Sequence, residues 1–184
     1  MTAQTKSATE APSFQTKSEV RDFVRQQFPA ALPLSSLFKN LSQLLGHQKG
    51  KWAAFKSLSD EPPLDGVLPP SIEWHYPKLR GDHLDFLKPI TWARSAHGFM
   101  EPNTGVEVEP DDLDGLLVPG VAFSRKGQRV GRGKGYYDRA LSRTRGLKVG
   151  VCYSFQIFNE LPVEGHDIGM DVVVTDQEIL WLTR

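Results

Sequence analysis

The chain has 184 residues, an apolar fraction of 39%, and equal numbers of basic and acidic side chains, 22 of each. This length predicts one domain with a buried core, and the balanced charge excludes recruitment of nucleic acid or an anionic membrane by global charge. The single cysteine, Cys152, excludes an internal disulfide and a multi-cysteine metal site, and its apolar neighbours predict a buried core residue.

The N-terminal segment is rich in Thr, Ser, Ala and Gln, a composition that buries little surface. We therefore predict a mobile tail over residues 1–16 and one domain over residues 17–184. No apolar stretch approaches the ~18 residues that span a bilayer, and no hydrophobic segment near the N-terminus resembles a secretory signal. These features predict a cytoplasmic protein.

Two amphipathic helices are predicted next. Apolar residues at helical spacing indicate one helix over residues 17–28, followed by Pro29, and another over residues 35–45, followed by Gly46. Four prolines between residues 61 and 70 then indicate an irregular connection rather than a domain boundary.

The rest of the chain alternates strand-like and helix-like patterns. A helix is predicted over residues 136–143. Apolar runs predict strands over residues 72–76, 84–87, 113–118, 147–153 and 171–176. This alternation favours an α/β fold, a single domain with a largely parallel sheet flanked by helices.

The stretch "GQRVGRGKGYYDRAL" contains alternating Gly131, Gly133 and Gly135 immediately before the predicted helix. We call residues 131–135 the glycine loop. Glycines allow backbone N–H groups to approach an anion, and a helix N-terminus adds a favourable dipole. The spacing fits neither a P-loop nor the G-x-G-x-x-G fingerprint. The pattern therefore predicts a phosphate site outside these two classes.

Eight cations surround this loop, against one carboxylate, Asp138. Any one of them is more often a solvated surface charge, but the alternating glycines favour a binding role for Arg132 and Lys134. Asp138 could hold a divalent ion or pair with Arg139 or Arg143, and the sequence leaves both alternatives open. The cations are Arg125, Lys126, Arg129, Arg132, Lys134, Arg139, Arg143 and Arg145.

Residues 118–141, "VPGVAFSRKGQRVGRGKGYYDRAL", resemble the signature of the 5-formyltetrahydrofolate cyclo-ligase family, also called 5,10-methenyltetrahydrofolate synthetases. "KSEVR" at residues 17–21 resembles the family's Lys-x-x-x-Arg on the first helix. "FMEP" at residues 99–102 resembles its Glu-Pro turn, and "HDIGMDVVVTD" at residues 166–176 resembles its closing strand.

This resemblance implies an enzyme that uses ATP and Mg²⁺ to convert 5-formyltetrahydrofolate into 5,10-methenyltetrahydrofolate, ADP and phosphate. We expect a small-molecule substrate, a monomer, and no nucleic-acid or membrane partner. We also expect a Rossmann-like domain similar to the sugar-phosphate isomerase and CoA-transferase type. His166 and Asp167 match the family's His-Asp pair, and we predict a structural role for them.

The resemblance also implies roles for single residues. Arg132 and Lys134 would be catalytic and act on the transferring phosphate, and Mg²⁺ would lie near Asp138 and Asp171. The implied folate contacts are Glu61, His97, Arg132 and Tyr136. The implied ATP contacts are Lys17, Arg21, Arg129, Gly131, Arg132, Gly133, Lys134, Gly135, Tyr136 and Tyr137.

The chain departs from the family pattern in two places. The path from Glu61 to Pro77 is short and rich in proline, and His97 stands where the family often carries Trp or Tyr. A second hypothesis is therefore a non-catalytic relative that binds nucleotide or RNA through the basic glycine loop. A third, a sugar-phosphate isomerase, lacks an evident base and would not need ATP.

Overall fold

A mixed sheet of eight strands lies at the centre of the residues that the computed structural model describes, 12–95 and 98–182. The helices are α1 (Lys17–Gln26), α2 (Leu34–Leu45) and α3 (Tyr136–Leu141), with short 3₁₀ helices at Pro110–Asp112 and Ser154–Gln156. The strands are β1 (Gly50–Ala53), β2 (Ile72–Arg80), β3 (His83–Arg94), β4 (Met100–Val108), β5 (Gly115–Pro119), β6 (Ala122–Ser124), β7 (Arg129–Val130), β8 (Leu147–Val151), β9 (Ile157–Phe158), β10 (Val172–Val174) and β11 (Ile179–Trp181).

The strand order of the large sheet is β11-β10-β8-β5-β1-β2-β3-β4. The strands from β10 to β2 are parallel, which confirms the predicted α/β fold with a largely parallel sheet. Strand β11 at one edge and strands β3 and β4 at the other are antiparallel. Short connections join β2 to β3 and β10 to β11, and only antiparallel neighbours can be joined so tightly. The closer likeness to sugar-phosphate isomerases and CoA-transferases stays a prediction.

Alternate residues of the central strands lie on opposite faces of the sheet. On one face, Leu117 and Val149 belong to a buried cluster with the leucines of α2. On the other face, Leu116 and Val118 pack in a cluster that includes Leu141 of α3. Because both faces are covered, β5 and β10 have continuous apolar sequences rather than alternating ones, and β8 departs from this only at Lys148.

Helix α1 begins with a capping box. The Thr16 hydroxyl accepts the N–H of Glu19 (3.3 Å), and the Glu19 carboxylate accepts the N–H of Thr16 (3.4 Å). Val20 and Val24 pack against the hairpin of β6 and β7. The helix ends two residues before the predicted end at Phe28, because a residue that precedes proline disfavours the helical conformation.

Most of the predicted tail, residues 1–11, lies outside the described residues. Within its described part, Phe14 packs edge-to-face on Phe23 (5.4 Å between ring centroids) and on Phe158 (5.3 Å). The boundary between tail and domain stays a prediction.

The predicted strands over residues 72–76 and 84–87 belong to a longer hairpin, β2–β3, that turns at Gly81 with a φ of 60°. Strands β1, β4, β6, β7, β9 and β11 were not predicted. Strand β1 is short, and β4 contains Pro102 and Gly105, which lower strand propensity and are tolerated here because β4 is an edge strand. The irregular connection over residues 61–70 is confirmed.

Cys152 directly follows β8 and is buried, as predicted, and this burial raises the pKa of its thiol. None of the described helices combines the length and the apolar composition that crossing a bilayer requires.

Candidate active site

A cleft of about 640 Å³ opens at the carboxyl end of β5, beside Pro119 and Gly120. Ligands of open parallel sheets bind at this end of the strands, and the volume suits a small organic ligand. Every predicted site residue except His97 and Asp171 lines the cleft, and His97 lies outside the described residues. The lining residues are Lys17, Arg21, Glu61, Arg129, Gly131, Arg132, Gly133, Lys134, Gly135, Tyr136, Tyr137 and Asp138.

The glycine loop connects β7 to α3 and has an open main chain. Gly133 and Gly135 have φ values of 96° and 67°, which glycine adopts without strain. The loop carbonyls of Gly131 and Lys134 accept hydrogen bonds from arginine side chains. No described residue accepts a hydrogen bond from the N–H groups of residues 131–135. The loop therefore offers unpaired amide donors at the cleft. Since α3 has only six residues, the loop amides contribute more to anion binding than the helix dipole does.

Arg132 reaches across the cleft to the turn that contains Asp60 and Glu61. Its Nε donates to Glu61 Oε1 (3.1 Å), and its Nη2 donates to Asp60 Oδ1. The Glu61 carboxylate, 9% exposed, also accepts the N–H of Leu58 (3.0 Å). Burial raises the pKa of Glu61, although Arg132 opposes the shift. The short proline-rich path after Glu61 thus still places this carboxylate beside the glycine loop.

Lys134 differs from the other cations of this segment. Its side chain is exposed at the cleft, and no described residue forms an ion pair or a hydrogen bond with its ammonium group. The remaining seven cations have acceptors. Their partners are Glu178 for Arg125, Glu160 for Lys126, Asp138 for Arg129, Asp60 and Glu61 for Arg132, the Asp82 carbonyl for Arg139, Glu109 for Arg143 and Asp111 for Arg145.

The Arg129 side chain is buried and donates hydrogen bonds within the protein. Its side chain is 4% exposed, Nη2 donates to Asp138 Oδ1 (2.9 Å), and Nη1 donates to the Pro119 carbonyl (3.2 Å). The guanidinium also lies over the Tyr137 ring, 5.7 Å from its centroid. Asp138 therefore pairs with Arg129 rather than with Arg139 or Arg143, the two pairing alternatives that the sequence left open. Arg129 therefore supports the site from a buried position beside the glycine loop.

Lys17 and Arg21 lie one helical turn apart on α1, as the sequence indicated. The Lys17 ammonium pairs with Asp167 (2.6 Å) and Glu164 (3.1 Å). Burial lowers the pKa of Lys17, but the hydrogen bonds to these carboxylates outweigh burial and leave the pKa raised. Arg21 donates from Nε to the Gly131 carbonyl (2.8 Å). Asp167, predicted as structural, thus fixes a predicted ATP contact.

Asp171 lies away from the cleft. It precedes β10, and its carboxylate accepts the N–H of Lys148 (2.9 Å). Lys148 of β8 is in register with Leu116, near the start of β5. The cleft lies at the opposite end of these parallel strands, beside Pro119. The structure therefore does not bring Asp171 together with the other predicted metal ligand, Asp138.

Aromatic residues line the remainder of the cleft. Tyr136 lies under the Arg139 guanidinium (5.5 Å), and burial raises the pKa of Tyr137. Tyr76 of β2 also lines the cleft, with the Lys56 ammonium 5.7 Å from its ring centroid. Sequence reasoning missed Tyr76 and Lys56 because neither belongs to a recognisable motif. Aromatic side chains and cations therefore line the cleft together, and we call Tyr76, Tyr136 and Tyr137 the aromatic wall.

The sequence model of the 5-formyltetrahydrofolate cyclo-ligase family matches residues 67–176. The 5-formyltetrahydrofolate cyclo-ligase of Saccharomyces cerevisiae is 38% identical over 120 residues, 59% of this chain and 56% of that protein. The enzyme of the same name from Mycoplasma genitalium is 38% identical over 78 residues, 41% of this chain and 46% of that protein. The chain thus spans about half the length of these curated relatives.

Two solved structures share the fold. The 5,10-methenyltetrahydrofolate synthetase of Aquifex aeolicus has a TM-score of 0.79 at 36% identity, covering 91% of this chain and 93% of that chain. The synthetase of Mycoplasma pneumoniae has a TM-score of 0.69 at 22% identity, covering 88% of this chain and 99% of that chain, and supports the fold alone. The resemblance that the motifs indicated is therefore confirmed, and the chain belongs to the 5-formyltetrahydrofolate cyclo-ligase family.

Proposed function

We propose that this protein catalyses the ATP-dependent cyclisation of 5-formyltetrahydrofolate to 5,10-methenyltetrahydrofolate. One observation carries the proposal: the glycine-loop amides and the Lys134 ammonium, which have no partner among the described residues, belong to residues that line the same cleft as the aromatic wall. The first set of groups suits a triphosphate, and the second suits the flat rings of a folate.

The chemistry requires an activated oxygen. A formamide oxygen is a poor leaving group, and its carbon is a poor electrophile. Transfer of the γ-phosphoryl group of ATP to this oxygen releases ADP and makes the oxygen part of a phosphate leaving group. N10 then attacks the formyl carbon and loses its proton, and phosphate departs with the former formyl oxygen. Catalysis of the first step depends on positioning and on stabilising phosphoryl charge.

Different residues of the cleft bind the phosphates, stabilise the phosphoryl charge and contact the folate. The glycine-loop amides and Lys134 bind the phosphates, and Lys134 stabilises the charge on the transferring group. We assign Arg132, the glycine-loop residue that pairs with Glu61, to both the transferring phosphate and the folate. Tyr136 and Glu61 contact the folate. Lys17 and Arg21 of α1 also line the cleft, and we assign them to the triphosphate.

Tight binding of the two substrates requires contacts over a wide surface of the cleft. A charge-assisted hydrogen bond contributes ~1.5–3 kcal/mol, so two of them contribute ~3–6 kcal/mol, less than the ~8 kcal/mol of micromolar affinity. The aromatic wall supplies additional contact area. The nucleotide and the folate therefore occupy most of the cleft together.

Asp138 is the residue we propose for Mg²⁺. Its Oδ1 accepts from Arg129, whereas no described residue donates to its Oδ2, which leaves a carboxylate oxygen at the cleft. Carboxylate oxygens are the ligands that Mg²⁺ prefers, and the ion would neutralise phosphate charge. Asp171 lies too far along the strands to share this ion.

A turnover assay tests the proposed function. Purified protein with 5-formyltetrahydrofolate, ATP and Mg²⁺ should form a product with the near-ultraviolet absorbance of the methenyl compound, and ADP should appear in equal amounts. Omission of ATP is the control. Absence of product from protein that is folded by circular dichroism rejects the proposal. The alternative of RNA binding is disfavoured because seven of the eight cations near the glycine loop already have partners among the described residues.

A further inference from the structure

The glycine loop needs an external support to keep its shape. Three of its five residues are glycine, and glycine loses more backbone entropy on ordering than any other residue. A loop that stayed disordered until the nucleotide arrived would lose part of its affinity to this cost. The structure contains such a support at each end of the loop.

Two arginines hold the loop through its carbonyl groups. From α1, Arg21 Nε donates to the carbonyl of Gly131 (2.8 Å). From α3, Arg139 Nη2 donates to the carbonyl of Lys134 (3.1 Å). A trans peptide is planar, so its C=O and N–H groups point in opposite directions. Fixing the Lys134 carbonyl therefore also fixes the N–H of Gly135, one of the unpaired amides at the cleft.

Arg139 is itself anchored to a neighbouring turn. Its Nε donates to the Asp82 carbonyl (2.8 Å), and its Nη2 donates to the same oxygen, in the turn between β2 and β3. Its guanidinium also covers the Tyr136 ring. A side chain at Gly135 would have its Cβ 2.9 Å from Arg139 Nη1, so the loop and this arginine fit closely. One side chain thus ties the glycine loop to the β2–β3 hairpin.

We infer that Arg139 is a positioning residue, which keeps the end of the glycine loop and Lys134 in the arrangement that binds phosphate. The inference rests on the proposed function, because it names the residue that prepares the same site. Arg139 touches no phosphate in this role. It acts through the Lys134 carbonyl, and its effect should be on nucleotide affinity.

The variants Arg139→Ala and Arg139→Lys test this role, with Arg143→Ala as the matched control. Arg143 follows the same helix, is also exposed, and pairs only with Glu109 among the described residues. Calorimetric titration with Mg·ATP should give a Kd about tenfold higher for Arg139→Ala, equivalent to ~1.4 kcal/mol. Arg139→Lys should lie between this variant and wild type, because an ammonium group lacks the fork that reaches two carbonyls. Arg143→Ala should bind like wild type.

Turnover separates positioning from a general structural role. The KM for ATP should rise in Arg139→Ala while kcat and the melting temperature change little. An Arg139→Ala Kd within about twofold of wild type overturns the inference, as does weaker ATP binding that simply follows a large fall in melting temperature. Failure of the wild-type protein to bind ATP would instead reject the proposed function, so the two failures are distinguishable.

Discussion

Lys134 lies at the cleft, and no described residue pairs with its ammonium group. Neighbouring Arg132 and Arg129 are held by carboxylates, which compensate their charge. The sequence predicted Lys134 and Arg132 as equal partners, because it shows the number of cations but not their distant acceptors. The structure separates them, since Asp60 and Glu61 reach Arg132 and leave Lys134 exposed.

Replacing Lys134 with alanine should therefore remove activity without unfolding the protein. Loss of a group that stabilises transition-state charge typically lowers kcat by ~10²-fold or more. The melting temperature should stay nearly unchanged, because surface substitutions usually alter stability by less than ~0.5 kcal/mol. Lys126→Ala, which removes an exposed lysine paired with Glu160, is the control and should keep full activity. A large loss of stability in Lys134→Ala would assign this lysine a structural role.

Glu61 should give the protein a measurable pH dependence. Burial raises its pKa above the usual 4.5, so the folded state favours the protonated form more than the unfolded state does. The stabilising contribution is complete at low pH and is lost as the pH rises through the folded-state pKa. As the pH rises from 4.5 through the folded-state pKa, Glu61→Gln, which cannot ionise, should gain stability relative to wild type. Urea unfolding across this range measures the difference, and a constant difference contradicts the expectation.

At the level of structural elements, the glycine loop shows why its glycines are needed. Gly133 has a φ of 96°, and a Cβ there would lie 3.3 Å from Arg21 Nη2. Gly66 has a similar φ of 86°, but a Cβ there would meet nothing within 4 Å. An alanine would therefore meet similar backbone strain at either position, and the two positions differ in what surrounds them.

Gly133→Ala and Gly66→Ala should both lower stability by ~1–2 kcal/mol, the strain of a left-handed conformation. Only Gly133→Ala should raise the KM for ATP, because only this methyl group pushes Arg21 away from the loop. Denaturant unfolding and steady-state kinetics on both variants provide the comparison. Equal kinetic effects in the two variants would show that the packing against Arg21 is unimportant.

The elements also differ in how well the sequence predicts them. Helix α2 begins one residue before the predicted start and ends at the predicted residue, because its leucine stripe is regular. Strand β4 was missed, since its proline, glycine and acidic residues are typical of loops, and its strand conformation depends on pairing with β3. Local periodicity predicts an element that its own pattern stabilises, and fails for one that a neighbour stabilises.

For the whole molecule, nucleotide binding should appear as added stability. A ligand that binds only the folded state at about 100 times its Kd contributes ~2.7 kcal/mol. For a chain of this size, each 1 kcal/mol shifts the melting temperature by ~2–4 °C, so Mg·ATP should raise it by ~5–10 °C. Lys134→Ala should lose most of this shift, whereas Lys126→Ala should keep it. A thermal shift of equal size in both variants would place the triphosphate elsewhere on the surface.

The sequence by itself determined the parts of this protein that depend on neighbours along the chain. These are the glycine loop, the two N-terminal helices, the apolar central strands and the motifs that indicate the family. Only the tertiary structure decided which charges stay available. Arg132 meets Glu61 across 71 positions of the sequence, and Lys17 meets Asp167 across 150. Such pairs form because the sheet brings distant segments to one edge, and no local pattern records which carboxylate will arrive there.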